Sequence, residues 1–97
     1  MTQALYLIAT IYPAEKYTDF LIKEFKELVQ KSYQEPGCEM YDLVVAENSK
    51  IWKMMEKWRS RVDWDNHMKS KHVAAINSLD KKYFDQPTHL EFLNPVI

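Results

Sequence analysis

Hydrophobic residues recur along this chain with two different periods, which predict strands in some segments and helices in others. Residues 5–12 are aliphatic, aromatic or β-branched with only Thr10 polar, and the run stops at Pro13, which has no amide hydrogen for a strand ladder. This pattern predicts a first strand that is buried on both faces. Residues 15–34 place apolar side chains three and four positions apart, which predicts an amphipathic helix, and Pro36 and Gly37 end it.

The remaining sequence predicts three more strands and a helical arm in two pieces. The strands are expected at residues 38–46, 51–59 and 88–93, and the helices at residues 62–70 and 71–83. This order, β-α-β-β-α-β, is the ferredoxin-like arrangement of the α+β class, in which helices cover one face of an antiparallel sheet. We therefore expect one domain spanning residues 1–97.

The sheet face that is turned away from the helices is also expected to be apolar. Side chains alternate along a strand, so the third strand separates into a face with Trp52, Met54, Glu56 and Trp58 and a face with Ile51, Lys53, Met55, Lys57 and Arg59. The first strand likewise presents aromatic and aliphatic residues on both faces. An uncovered apolar face on a small domain usually marks an interface, and we predict a homodimer through sheet faces.

Composition and charge narrow the possible partners and the compartment. Thirteen Lys and Arg nearly cancel fourteen Asp and Glu, so we expect no binding to nucleic acid or to an anionic membrane surface. No apolar run approaches the roughly 20 residues of a membrane-spanning helix, and Met1-Thr2-Gln3 lacks the basic start of a secretory signal. Cys38 is the single cysteine and cannot form an intramolecular disulfide, which fits a reducing compartment. We expect a cytoplasmic protein.

The few glycine, cysteine and histidine residues argue against the common cofactor sites. Gly37 is the only glycine, whereas loops that bind phosphates or dinucleotides need several. One cysteine and three scattered histidines do not supply a closed tetrahedral zinc site. We therefore expect no cofactor and no metal.

Two histidines in the predicted helices at residues 62–70 and 71–83 are candidate catalytic residues. His67 shares the inward face of its helix with Trp64 and Met68, so it is either a pocket-lining group or a core histidine bonded to backbone. His72 begins the next helix, where it is either a second pocket group or a helix-start residue. A break between the helices near Ser70 is what would bring both imidazoles together.

Glu56 is the one carboxylate between tryptophans on its strand face. A carboxylate among apolar groups needs a partner or a raised pKa. If Glu56 meets His67 or His72, the pair can orient a base that removes a proton from a phenolic or enolic substrate. The alternative is that Glu56 faces the other way and pairs with a surface lysine. Tyr41 can offer a hydroxyl to a planar ligand, although ordinary packing also explains it.

Several short segments, in their order and spacing, resemble a known family over nearly the whole chain. They are the turn Glu35-Pro36-Gly37-Cys38 leading to Tyr41, the strand end Glu56-Lys57-Trp58, then His67, Lys71-His72-Val73 and the closing Leu93-Asn94-Pro95. Together they resemble the antibiotic biosynthesis monooxygenase family. The resemblance implies a dimeric α+β barrel built from ferredoxin-like domains. One departure is that no glycine follows Pro13, where many members turn from strand to helix with Pro-Gly.

The resemblance implies several possible activities, because the family includes quinol and polyketide monooxygenases that work without flavin or metal, haem-degrading enzymes and isomerases. Ile11, His67 and Asn77 stand where the haem-degrading branch has its Asn, Trp and His, so we set that branch aside. Similarity to the quinol monooxygenase branch implies oxidation of a small quinol or polyphenol by molecular oxygen. This branch also has a Glu on the third strand and His at the positions of His67 and His72, which implies His67 or His72 as the base and Glu56 as its orienting partner. We further predict Trp58, Trp64, Tyr41 and Met68 as substrate-binding residues.

Two other functions remain open at this point. The protein is alternatively an isomerase of a small carbonyl compound, in which the same residues move a proton and no oxygen is consumed. It is otherwise a non-catalytic dimeric protein that binds a small ligand. Turnover without oxygen distinguishes the first, and saturable binding without turnover distinguishes the second.

Overall fold

The computed structural model describes residues 3–97, and its elements follow the order expected from the sequence. The strands are β1 (Leu5–Pro13), β2 (Cys38–Val45), β3 (Trp52–Trp58) and β4 (Phe84–Leu93), and the helices are α1 (Thr18–Ser32), α2 (Arg61–Met68) and α3 (Lys71–Asn77). Short 3-10 turns at Glu15–Tyr17 and Lys81–Tyr83 precede α1 and β4.

The four strands form one antiparallel sheet in the order β2-β3-β1-β4. The ferredoxin-like α+β fold is thereby confirmed. The register places Leu5, Leu7, Ala9 and Ile11 of β1 beside Trp58, Glu56, Met54 and Trp52 of β3, and all eight side chains are buried. The helices cover this face, and Leu21, Phe25 and Leu28 of α1 complete the core.

The reverse face of the sheet is only partly covered within the chain. Tyr6 and Ile8 of β1 and Met55 of β3 alternate with the core residues and are half-buried. The first strand, expected to be buried on both faces, is therefore fully buried only on the helix face, because no element within residues 3–97 covers the other face. No helix within residues 3–97 is long and apolar enough to cross a membrane.

The largest difference from the expected boundaries is at the last strand, which begins at Phe84 rather than at residue 88. Pro87 lies inside this strand and was expected to precede it. β4 is at the edge of the sheet, where a proline that donates no hydrogen bond is tolerated on the open side. The second helical piece is correspondingly shorter, ending at Asn77 instead of residue 83.

Candidate active site

A cavity of about 400 Å³ lies between the helix face of the sheet and helices α2 and α3. This is the size of a typical small-molecule site, for which volumes of roughly 300–1,000 Å³ are common. Most of its lining is apolar, and the ionisable side chains with the potential to transfer protons at its buried end are Tyr41, Glu56 and His67. The cavity therefore combines an apolar interior with a small number of titratable groups.

The turn after α1 brings a carboxylate to this buried end. Gly37 has a φ of +82°, a left-handed conformation that disfavours residues with a Cβ. A Cβ at this position would also overlap the carboxyl group of Asp63 in α2. The backbone amide of Arg59 donates to the Gly37 carbonyl at 2.7 Å, which ties the turn to the end of β3. The turn is therefore fixed against α2, and it carries Glu35.

Serine caps begin both helices of the split arm. The Ser60 side chain accepts a hydrogen bond from the Asp63 amide at the start of α2, and the Ser70 side chain accepts from the Val73 amide at the start of α3. The Ser70 cap is the break that the sequence predicts between the helices. It turns α3 so that the rings of His67 and His72 come within 5.8 Å of each other.

Both histidines bond the same oxygen of Glu35. The His67 Nδ1 atom is 2.5 Å from Glu35 Oε2, and the His72 Nε2 atom is 2.9 Å from it. An ionised carboxylate only accepts hydrogen bonds, so both ring nitrogens donate. The proton of a neutral His67 then sits on Nδ1, which leaves a lone pair on Nε2. His67 lines the cavity, and no residue within 3–97 bonds its Nε2.

The surroundings of His67 favour its neutral form. The ring is 2% exposed and packs against Trp58, with 4.6 Å between ring centroids, and against Tyr41, with 5.1 Å. Burial lowers the pKa of His67, and the nearby His72 lowers it further, while the Glu35 carboxylate acts in the opposite direction. An unprotonated base is therefore available near neutral pH.

Glu56 is held in a different way from the one expected. Its Oε1 accepts a hydrogen bond from the Trp58 indole Nε1 at 3.0 Å, and it makes no hydrogen bond to His67 or His72. Burial raises its pKa to about 7, opposed by the Trp58 hydrogen bond and assisted by the charge of Glu35. The orienting partner of the histidines is therefore Glu35, because the turn delivers this carboxylate directly to them while Glu56 is engaged within β3.

The structure divides the residues expected from the sequence into two layers. Tyr41, Glu56, Trp64, His67 and Met68 line the cavity. Trp58 and His72 lie behind it, where Trp58 holds Glu56 and His72 holds Glu35. Trp58 is fully buried, so it supports the wall of the cavity and is not part of its surface.

Glu35 is the residue that sequence reasoning missed as a member of the site. Glu35 precedes a proline and a glycine, and this pattern indicates only the end of a helix. Its partners are 32 and 37 residues further along the chain, and neither periodicity nor spacing connects them. The one available signal was the Glu-Pro-Gly turn within the family resemblance.

The same three side chains are the group within residues 3–97 whose donor atoms converge closely enough to hold a metal ion. One atom from each of Glu35, His67 and His72 lies within 4.8 Å of the others. Their present separations of 2.5 and 2.9 Å are those of hydrogen bonds. The arrangement is therefore a carboxylate–histidine network in which a metal would have to displace the shared protons.

The fold and this cavity define a class of protein, namely a ferredoxin-like α+β domain with a buried carboxylate–histidine network at an apolar pocket. The sequence model of the antibiotic biosynthesis monooxygenase family matches residues 4–79. The chain therefore belongs to the antibiotic biosynthesis monooxygenase family. No curated protein matches the chain.

Solved structures share the fold over nearly the full length. PA3566 from Pseudomonas aeruginosa is 28% identical, with a TM-score of 0.88 and coverage of 100% of this chain and 98% of that one. A structure described as an antibiotic biosynthesis monooxygenase is 26% identical, with a TM-score of 0.89 and coverage of 96% and 99%. Rv0793 from Mycobacterium tuberculosis is 22% identical, with a TM-score of 0.90 and coverage of 97% and 96%, and this likeness concerns the fold alone.

Proposed function

We propose that this protein is a cofactor-independent monooxygenase that oxidises a small quinol or polyphenolic aromatic with molecular oxygen. One observation carries the proposal: Glu35 bonds Nδ1 of His67, a residue that lines the apolar cavity, and no residue within 3–97 bonds its Nε2. This is the arrangement that removes a proton from a hydroxyl group in a water-poor site. Membership of the family supports the reaction class.

In the proposed reaction, His67 Nε2 takes the proton of a substrate hydroxyl, and the Glu35 carboxylate stabilises the imidazolium that forms. The resulting quinol anion transfers an electron to oxygen, and the two radicals recombine at a ring carbon. One oxygen atom remains in the product, a hydroxyquinone, and the other leaves as water. The quinol supplies all four electrons, so the reaction needs no external reductant.

Glu56 supports a second proton transfer in the same cavity. Because its pKa is about 7, it is protonated in a large fraction of molecules at neutral pH. A neutral carboxyl can donate a hydrogen bond to a substrate or peroxide oxygen and supply the proton that forms water. Two groups that exchange protons near pH 7 also fit the second candidate, an isomerase of a small carbonyl compound, in which His67 removes a proton and Glu56 returns one.

The decisive experiment measures oxygen uptake by metal-free protein across a panel of quinols and polyphenols. We expect uptake that falls at least about 10²-fold in His67→Ala, the usual scale for loss of a general base. The matched control is His89→Ala, because His89 is exposed on β4 and does not line the cavity. Equal uptake in the wild type and His67→Ala would overturn the proposal. Turnover that persists in the absence of oxygen would assign the isomerase function.

We also propose a homodimer through the reverse faces of the sheet. The half-buried apolar residues Tyr6, Ile8 and Met55 on this face support it, because an open apolar face on a small domain usually binds a partner. Sedimentation equilibrium tests it: Met55→Asp is expected to yield monomers. Val62→Asp, which places the same charge on the exposed surface of α2, is expected to leave the dimer intact. A wild-type monomer at micromolar concentration would contradict the proposal.

A further inference from the structure

The cavity has two chemically different ends, which the register of the sheet places far apart. Leu7 of β1 pairs with Glu56 and marks the acid–base end. Pro13 pairs with Phe84, which directly follows the turn Lys81–Tyr83 and marks the opposite end. Leu7 and Ile11 both line the cavity, and four residues of a strand span about 13 Å. The cavity is therefore elongated along β1.

The end away from Glu56 carries polar and basic side chains beside the apolar Ile11 and Phe84. Lys81, Asn77 and Thr88 line it, and Lys81 is the one lysine or arginine among the cavity-lining residues of the described chain. Lys81 forms no ion pair within residues 3–97. The next residue, Lys82, is engaged elsewhere, with its ammonium nitrogen 5.3 Å from the centroid of the Tyr83 ring and 5.9 Å from that of Tyr17. The Lys81 ammonium is therefore free to meet a ligand at the cavity.

The wall between the two ends offers no polar alternative. Met54 and Ala9 from the sheet and Val73 and Ile76 from α3 form it. A molecule that spans the cavity therefore has an apolar body, and it can place polar groups only at its two ends. The apolar sides favour a flat hydrocarbon framework such as fused aromatic rings.

We propose that the cavity selects an elongated aromatic substrate that carries an acidic hydroxyl at one end and an anionic group at the other. The hydroxyl lies at His67 and Glu56, and the anionic group lies at Lys81. This inference rests on the proposed function for the hydroxyl end only. The placement of the anionic group rests on the position of Lys81 in the cavity lining and on the absence of an ion pair to it within residues 3–97. The lysine ammonium is a compact point charge that does not require a particular ligand geometry, so the anionic group can be either a carboxylate or a sulfonate.

Binding of two matched probes tests the inference without requiring turnover. The probes are 6-hydroxy-2-naphthoate, which has a hydroxyl and a carboxylate at opposite ends of a two-ring plane, and 2-naphthol, which lacks the carboxylate. Calorimetric titration is expected to show five- to tenfold tighter binding of the naphthoate to the wild type. We expect this preference to disappear in Lys81→Gln and to persist in Lys82→Gln, which removes the same charge from the adjacent position. It is also expected to shrink as potassium chloride is raised, because the lysine is exposed to salt.

A parallel arm with 6-hydroxynaphthalene-2-sulfonate separates charge recognition from a specific carboxylate contact. Tighter binding of both anions than of 2-naphthol supports recognition of charge at Lys81. Equal binding of all three probes, or a preference that survives in Lys81→Gln, overturns the inference.

Failure of the proposed function and failure of this inference give different results. If no quinol supports oxygen uptake but the anion preference depends on Lys81, the inference stands and the monooxygenase proposal falls. If oxygen uptake depends on His67 but Lys81→Gln binds all probes like the wild type, the monooxygenase proposal stands and the inference falls. Circular dichroism and thermal unfolding of each lysine variant verify that the fold is retained.

Discussion

Replacing Glu56 by glutamine is expected to change how the stability of the protein depends on pH. Glu56 is 5% exposed, and burial raises its pKa from an ordinary 4.5 to about 7. Glutamine keeps the shape of the neutral carboxyl, and its amide oxygen can still accept the Trp58 indole hydrogen bond. The variant therefore removes the titration of this group with little change in packing.

The magnitude follows from the linkage between protonation and folding. The folded state holds the Glu56 proton more tightly than the unfolded state, so stability is greatest below about pH 4.5 and falls as pH rises through about 7. A difference of about 2.5 in pKa corresponds to about 3 kcal/mol in all, at 1.36 kcal/mol for each pKa unit. Between pH 5 and pH 8 the expected loss is about 2.5 kcal/mol. Glu56→Gln should gain stability relative to the wild type by this amount over that interval.

Urea unfolding followed by tryptophan fluorescence at pH 5, 6, 7 and 8 measures this difference. Protein concentration is held constant, because subunit association contributes to the stability of a dimer. Burial lowers the pKa of His67, so its titration changes stability in the opposite direction, but this effect is common to both proteins and cancels in the comparison. Glu47→Gln, in the exposed loop between β2 and β3, is the control. Parallel stability curves for the wild type and Glu56→Gln would refute the reasoning.

Three further predictions concern the carboxylate–histidine network. Gly37→Ala is expected to lower the free energy of unfolding by about 2–3 kcal/mol in urea titrations, because the left-handed backbone and the Asp63 carboxyl both oppose a Cβ. An additional Asp63→Ala change should relieve part of this loss, and strictly additive effects of the two changes would contradict the contact. Glu35→Gln should lower the pKa of His67 further, measured by NMR titration, and reduce oxygen uptake about 10²-fold, since the charge that favours the imidazolium is lost; an unchanged His67 titration would argue against the pairing. Dialysis against EDTA should alter neither oxygen uptake nor the melting temperature, and a loss of either on chelation would instead indicate a resident metal at Glu35, His67 and His72.

Local periodicity was sufficient to predict most of the fold. The alternation along β3 correctly grouped Trp52, Met54, Glu56 and Trp58 on one face. Which face meets the helices was left open, and the structure buries this one. The start of β4 was not predictable, since Pro87 is a strong local signal against a strand and only its position at the sheet edge makes it tolerable.

The candidate site was predictable only where local structure determines it. Helical spacing placed His67 with Trp64 and Met68 and left open whether it lines a pocket or lies in the core, and the structure places it at the cavity. A break near Ser70 was the condition for bringing His72 close to His67, and the structure has that break. The identity of their carboxylate partner depends on how a turn packs against a helix more than thirty residues away, which no local pattern reports. Glu56 was a reasonable candidate from its neighbours, and one of those neighbours, Trp58, donates the hydrogen bond that holds its carboxyl group within β3.

In many binding sites the same residues fix the proton-transfer geometry and contact the ligand. The contact between Gly37 and Asp63 separates these two tasks. It lies outside the cavity lining, yet it fixes the turn that carries Glu35 against the helix that carries His67. The side chains that meet the body of a ligand come from several other elements, among them Ala9 of β1, Met54 of β3, Val73 and Ile76 of α3 and Leu90 of β4. Substitutions at those lining positions can therefore reshape which molecules enter while the contact between Gly37 and Asp63 keeps the proton-transfer geometry constant. A chain built in this way can diverge in substrate while preserving a common chemistry.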